Sequence, residues 1–233
     1  MLNILLDADE TILDFPRSSK ESFAYAMREA GLPCGEECFG QFKEINDSLW
    51  REYEKGTMPK SRLVVERFSR FFAARGIDAD AAAVNRLYFG KLCRTGYLLA
   101  GADEFLKGLK SRGRVYLITN GTPPAQYGRL DSLGIRGLFD GIFVSDEIGA
   151  AKPSAVFFGY VLSSIGRRAE ECVVIGDSLT SDIAGAVNAG IRSIWYDPSG
   201  APSGQARPDY VAGSYEEILG TLDRNFLCAQ AQG

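Results

Sequence analysis

Histidine is missing altogether from these 233 residues. That removes the commonest general base and the commonest transition-metal ligand, so Ser-His-Asp triads and phosphohistidine chemistry are excluded. Cysteine is sparse and odd in number: Cys34, Cys38, Cys93, Cys172 and Cys228, with no CxxC pair. This argues against a disulfide framework and against a zinc knuckle, and leaves packing residues or free thiols as the expectation. Cys34 and Cys38 lie four apart, but no further cysteine nearby completes a metal set. No cysteine is followed six positions later by arginine, and no GxxxxGK[ST] segment occurs, so a thiolate in an anion loop and a nucleotide P-loop are both disfavoured. Long apolar runs are lacking too. The N-terminal one stops at Asp7 without a basic flank, too short for a signal-peptide core, and no later stretch could span a bilayer. A cytoplasmic protein without a membrane partner is expected. With 26 basic against 30 acidic residues and no basic run, the electrostatic footprint of a duplex-binding surface is absent, and nucleic-acid polymers are not expected partners. No low-complexity tract and no sign of an obligate protein partner is visible. Carboxylates, lysine and a hard metal ion remain as chemistry.

What is present suits a globular enzyme. Hydrophobic residues at 45% and charged ones at 24% are ordinary, and a chain of this length buries roughly 70% of its unfolded surface. Residues 2 to 11, Leu-Asn-Ile-Leu-Leu-Asp-Ala-Asp-Glu-Thr, form an apolar run ending in two carboxylates one residue apart. In an extended chain side chains repeat every two residues, so Asp7 and Asp9 can point to one side where a strand gives way to a loop. One can attack while the other handles protons.

Residues 18 to about 95 carry helical signals with hardly a strand among them. Ser18 to Glu21 resembles a helix start, with Phe23, Ala26, Met27 and Ala30 at helical spacing before Gly31 and Pro33 stop it. Further helices are expected over 36–55, 60–75 and 80–94. From about residue 97 helical stretches alternate with β-branched runs at Val115–Ile118, Ile142–Val144, Val173–Ile175 and Ser193–Trp195. That alternation implies an α/β fold: a Rossmann-like parallel sheet with helices on both faces, which the N-terminal strand joins. The expected organisation is a core of residues 1–15 and 97–233, interrupted by an inserted helical-bundle cap of residues 16–96, with two chain crossings that can act as a hinge.

Three strands end in polar residues: Asp7-Ala8-Asp9, Thr119-Asn120-Gly121 and Gly176-Asp177-Ser178. Ligands of open parallel sheets bind at such carboxyl ends. Lys152 stands just before Pro153, which is expected to begin a helix. Taken singly, Asp177, Asp182 or Thr119 reads as a cap or turn residue and Lys152 as a solvated lysine, but together they make a phosphate site. Glu10 and Asp14 read as surface or turn residues, and Arg17, Lys60 and Arg62 as solvated charges.

Asp7-Ala8-Asp9-Glu10-Thr11, Thr119-Asn120-Gly121, Lys152-Pro153 and Gly176-Asp177-Ser178 through Asp182 resemble, in order and spacing, the four motifs of the haloacid dehalogenase superfamily, and the helical insert sits where that superfamily carries its helical cap. The resemblance implies a phosphoric monoester hydrolase in which Asp7 attacks phosphorus to give an aspartyl-phosphate. Asp9 would protonate the leaving oxygen and later deprotonate water, from a site that lifts its carboxyl pKa. Mg2+ would be held by Asp7, the Asp9 main-chain carbonyl and Asp177, while Thr119, Asn120 and Lys152 would bind the phosphoryl group and Asp182 would orient Lys152 or metal waters. Dehalogenases of the superfamily generally lack the second Asp of the first motif, so Asp9 favours phosphoryl transfer. Residues 7–17 and the stretch Asn46-Asp47-Ser48-Leu49-Trp50-Arg51-Glu52-Tyr53 resemble the cytoplasmic pyrimidine 5′-nucleotidases, implying a nucleoside monophosphate, including deoxy or modified ones, as the small phosphorylated substrate. Trp50 or Tyr53 could stack on a base, though either alone reads as cap core. A phosphosugar phosphatase or phosphomutase is the alternative within the superfamily. Outside enzymes, an Asp-phosphorylated receiver-type switch is the competitor, against which motif order and the insert both speak.

Overall fold

The computed structural model describes residues 2–32, 34–202 and 207–227, the side chain of Glu36 excepted. Pro33 and Cys228, both named above, lie outside the described residues. The chain opens with β1 (Leu2–Asp7), continues through four helices, α1 (Phe15–Glu29), α2 (Glu36–Glu54), α3 (Lys60–Arg75) and α4 (Ala81–Leu92), and then returns to the sheet through α5 (Ala102–Arg112) and β2 (Gly113–Thr119). After α6 (Pro123–Ser132) come β3 (Gly141–Val144), α7 (Ser145–Ile148), α8 (Ala155–Ile165), β4 (Cys172–Gly176), α9 (Ala184–Ala189), β5 (Arg192–Tyr196), β6 (Tyr210–Ala212) and α10 (Tyr215–Leu222).

All six strands are parallel, in the order β3-β2-β1-β4-β5-β6, so β1 lies near the centre with neighbours on both edges. Every residue of β1 is buried, as a strand covered on both faces requires. Alternation then divides the core. Ile4 and Leu6 pack with Phe105, Leu109, Ile218 and Leu222 of α5 and α10, while Leu5 packs on the opposite face with Phe157, Phe158 and Val161 of α8. The short edge strand β6 carries no sequence signal of its own, because three residues are too few to show a period.

The four inserted helices close around their own aromatic core of Phe23, Phe42, Phe68, Phe71 and Tyr88. Helix α1 begins three residues before the Ser18 start expected from sequence: Asp14 caps it by accepting from the Arg17 amide at 2.9 Å, with Pro16 in the first turn. The serines are instead buried inside the helix, where Ser18 and Ser22 donate to the carbonyls of Asp14 and Ser18 and Ser19 bonds the Tyr88 hydroxyl at 2.8 Å. Asp14 is therefore a structural cap and Glu10 a turn residue with a φ of 62°. Cys34 and Cys38 correct the free-thiol expectation. They are joined as a disulfide at the entry to α2, Cys34 preceding the helix and Cys38 in its first turn, their Cα atoms 5.9 Å apart and within bridging reach. The two crossings between insert and core are tied together: the Asp14 amide donates to the Tyr97 carbonyl at 2.9 Å and that of Leu99 to Ile12 at 3.0 Å.

Candidate active site

Strand register brings the polar strand ends together. Asp7 pairs with Ile118, placing Thr119 one step beyond, and Leu6 pairs with Ile175, placing Gly176 beside Asp7 and Asp177 one step farther. Into this cluster comes Lys152, from the loop before α8. That helix starts at Ala155 with Ser154 as its cap, so Pro153 precedes the helix rather than beginning it; the Lys152–Pro153 peptide is cis. Lys152 is 2% exposed, and its Nζ donates to Asp7 Oδ1 at 2.5 Å, Asp182 Oδ1 at 2.6 Å and the Ile118 carbonyl at 3.2 Å. Asp182 is thus an orienting group for Lys152, and its other oxygen accepts from the Ser178 amide at 3.2 Å. Gly176 is needed here, since a Cβ at that position would collide with the Asp182 carboxyl.

Thr11 links the remaining pair. Its hydroxyl lies 3.2 Å from both Asp7 Oδ2 and Asp177 Oδ1 and accepts from the Asp177 amide at 3.1 Å; one proton can serve only one carboxylate at a time. The Asp177 carbonyl accepts from the Trp195 indole at 2.7 Å. Three carboxylates, Asp7 and Asp182 buried and Asp177 half-buried, leave surplus negative charge beside one ammonium. Burial first, and then the charge of Asp182, push Asp7 up to about 7 despite Lys152. Asp177 is likewise raised well above the usual range by burial and by Asp7 and Asp182. Burial works against the Lys152 ammonium, but Asp182 and Asp7 outweigh it and hold its pKa up. Carboxylate oxygens of Asp7, Asp177 and Asp182 lie within 4.8 Å of one another. Hard oxygen donors carrying uncompensated charge at this spacing fit a divalent cation, and with Asp182 engaged, Asp7 and Asp177 are the two placed to hold it.

The carboxylate of Asp9 stands apart from this trio. Arg129, 2% exposed on α6, grips it through both oxygens, Nη1 at 2.6 Å and Nη2 at 3.0 Å, and Gln126 Nε2 adds a bond at 2.7 Å. Its immediate partners are a guanidinium fork and a side-chain amide. Gln126 also donates to Thr119 Oγ1 at 2.8 Å, so one side chain ties the two groups together. Asn120 also has a positioning contact: its carboxamide bonds the main chain of Lys152, donating to the carbonyl and accepting from the amide, each at 2.9 Å. It fixes the lysine loop through its oxygen and one amide N–H.

Asp7, Asp9, Thr119, Asn120, Lys152, Asp177 and Asp182 all line one cavity of about 410 Å³, whose far wall is built from the inserted helices. Trp50 is part of that wall, and Tyr53 packs edge-on behind it at 5.6 Å between centroids. Hydrogen bonds latch the insert to the core. Lys60, expected to be solvated, reaches from α3 to the carbonyls of Asn120 and Gly121 at 2.7 and 3.0 Å and to Asp146 at 2.6 Å. Glu54 accepts from the Thr180 hydroxyl at 2.8 Å. Arg17 and Arg62 are exposed, as expected.

A model of the haloacid dehalogenase-like hydrolase family matches residues 1–190. The chain belongs to that family. Among its members the pyrimidine 5′-nucleotidase PynA of Streptococcus pneumoniae is 35% identical over 227 residues, 96% of each chain. The pyrimidine 5′-nucleotidase YjjG of Escherichia coli is 29% identical over 221 residues, 92% of this chain and 95% of its own. The crystal structure of the putative family hydrolase YfnB of Bacillus subtilis, bound to magnesium, superposes with a TM-score of 0.89 at 33% identity, covering 95% of this chain and 98% of that one. Outside the four motifs, Arg129 and Gln126 were not legible: two polar residues three apart on a helix look like a solvated face. Replacing Arg129 with Met is expected to lower kcat about 10- to 100-fold, the scale of a mispositioned proton carrier, with KM little changed. Asp9→Asn added to that variant should cost less than it does alone. Steady-state kinetics of the three variants check this, and full additivity would separate the two residues.

Proposed function

We propose that this hydrolase is a magnesium-dependent phosphomonoesterase of the cytoplasm that removes the phosphate of pyrimidine nucleoside 5′-monophosphates. The observation carrying the reading is the division of labour between two carboxylates in one cavity: Asp7 beside Lys152 and Asp177, Asp9 alone with Arg129 and Gln126. A Mg2+ ion held by Asp7, Asp177 and the Asp9 main chain would offset the repulsion between a carboxylate and an incoming phosphate. An Asp7 oxygen attacks phosphorus as the ester P–O bond breaks, and the leaving oxygen takes a proton from Asp9. Water then attacks the aspartyl-phosphate, giving its proton back to Asp9, and inorganic phosphate leaves. Lys152 and Thr119 hold the phosphoryl oxygens throughout.

The substrate class rests on the curated relatives named above and on a cavity sized for a small ligand. The inserted helices, residues 16–96 on our division of the chain with the core as 1–15 and 97–233, act as a cap that excludes water when latched. Steady phosphate release from UMP, dUMP and dTMP, faster than from purine nucleotides or sugar phosphates, is the expected outcome of a phosphomonoester panel. A preference for sugar phosphates would overturn the nucleotide assignment, and a single stable phosphorylation event without turnover would overturn the enzyme. Activity should vanish in EDTA and return with Mg2+; hydrolysis indifferent to chelation would remove the metal from the reading.

A further inference from the structure

Arg67 on α3 is 3% exposed, and no carboxylate pairs with it among the described residues. A buried cation is ordinarily paired, because taking it out of water is costly. This one has neutral partners only. Nε donates to the Val64 carbonyl at 3.1 Å and to Asn85 Oδ1 at 3.3 Å, Nη2 donates to the same Asn85 oxygen at 2.7 Å, and Nη1 reaches Asn46 Oδ1 at a long 3.4 Å. A guanidinium has five N–H groups, so two are unengaged among these contacts and a third is weakly held. The group lies 4.4 Å over the Tyr88 ring, which fixes its plane, and it lines the cavity together with Asn46, Val64, Phe89 and Leu92.

These neighbours define the ligand. The phosphate end of the cavity belongs to Lys152 and Thr119 on the core side, whereas Arg67 and its neighbours come from the inserted helices. Apolar walls beside one polar edge suit a heteroaromatic ring better than a polyhydroxylated sugar. A second anion is the other natural partner for a guanidinium, but the cavity lining already carries seven carboxylate side chains against four cations, which disfavours more negative charge. A neutral, strong acceptor remains. We propose that Arg67, with Asn46 beside it, reads the carbonyl edge of the nucleobase, a group present in uracil, thymine and cytosine and absent from adenine. This rests on the nucleotidase reading and specifies how the same site selects its substrate.

A site built to hydrogen-bond a group discriminates strongly against ligands that lack it. The test compares kcat/KM for UMP with that for ribose 5-phosphate, the same ester without the base, in the wild type and in Arg67→Met. The ratio is expected to favour UMP in the wild type and to fall about 30-fold or more in the variant, the scale of a lost hydrogen bond to a charged group. If the variant does not fold, Arg67→Lys keeps the charge but not the fork, and its ratio should fall about 10-fold. A wild type that does not distinguish the two esters overturns the nucleotide reading and this assignment together. A wild type that prefers UMP while the variants keep the ratio overturns the assignment alone and makes Arg67 a packing residue. A variant whose largest loss falls on ribose 1,5-bisphosphate assigns the guanidinium to an anion and also overturns it.

Discussion

Asp7→Asn is expected to lower kcat by at least about 1000-fold, because an amide oxygen neither attacks phosphorus at a useful rate nor carries the covalent intermediate. The fold should survive. Asn fills the same volume, and the change removes one of three crowded carboxylates around Lys152, so the loss of the ion pair is offset by relief of repulsion with Asp182 and Asp177. The pH dependence of stability separates this account from a generic active-site lesion. Asp7 titrates near 3.8 in the unfolded chain and near 7 in the fold, so between those values the folded protein holds a proton that the unfolded chain has released. Stability then falls as pH rises through that window and levels off above it; Asp177, raised for the same reason, adds to the slope. In EDTA the melting temperature of the wild type should drop between pH 5 and pH 8, and Asp7→Asn should flatten the drop. Added Mg2+ should stabilise the wild type more at pH 8 than at pH 5, since cation and proton compete for the same oxygens. Near-normal turnover in the variant would sink the nucleophile assignment, and an unchanged slope would sink the electrostatic one.

Asp7, Thr119 and Asp177 were legible because each sits at or beside the carboxyl end of a strand, and a parallel sheet gathers those ends whatever the rest of the chain does; Lys152 was legible from its place beside Pro153 ahead of a helix. The inserted helices were legible for a similar reason: Phe23, Phe42, Phe68 and Phe71 fall at helical spacing and pack as one cluster. Arg129, Gln126, Lys60 and Arg67 were hidden. Each is polar and lies on a helix, where sequence assigns polar residues to solvent, and only tertiary placement aims them inward. The disulfide was missed because an odd cysteine count without CxxC is weak information about any one pair. Asn120 was found, but its bond to the Lys152 main chain was not: motif order points to the loop, while the direction of its carboxamide depends on how the Lys152 loop packs against it.

Lys152→Met should be the most disruptive single change, since it acts on the chemistry and on the fold together. Methionine fills much of the space but leaves Asp7 and Asp182 buried without their shared cation. Removing one partner of a buried ion pair costs about 3–5 kcal/mol, and chemical denaturation in EDTA should show a loss of that size. Turnover should fall by about 1000-fold or more, because the charge that offsets both the nucleophile and the transferring phosphoryl oxygens is gone. The two effects can be pulled apart. Asp182 touches Lys152 and the Ser178 amide but faces no reacting atom in the proposed chemistry, so Lys152→Met combined with Asp182→Asn removes one of the stranded charges. That double variant should regain much of the stability while recovering none of the activity, so that the cycle in denaturation is strongly non-additive. Equal recovery of both would mean that Lys152 serves catalysis merely by holding the site together, and its ammonium would lose its place beside the phosphoryl oxygens.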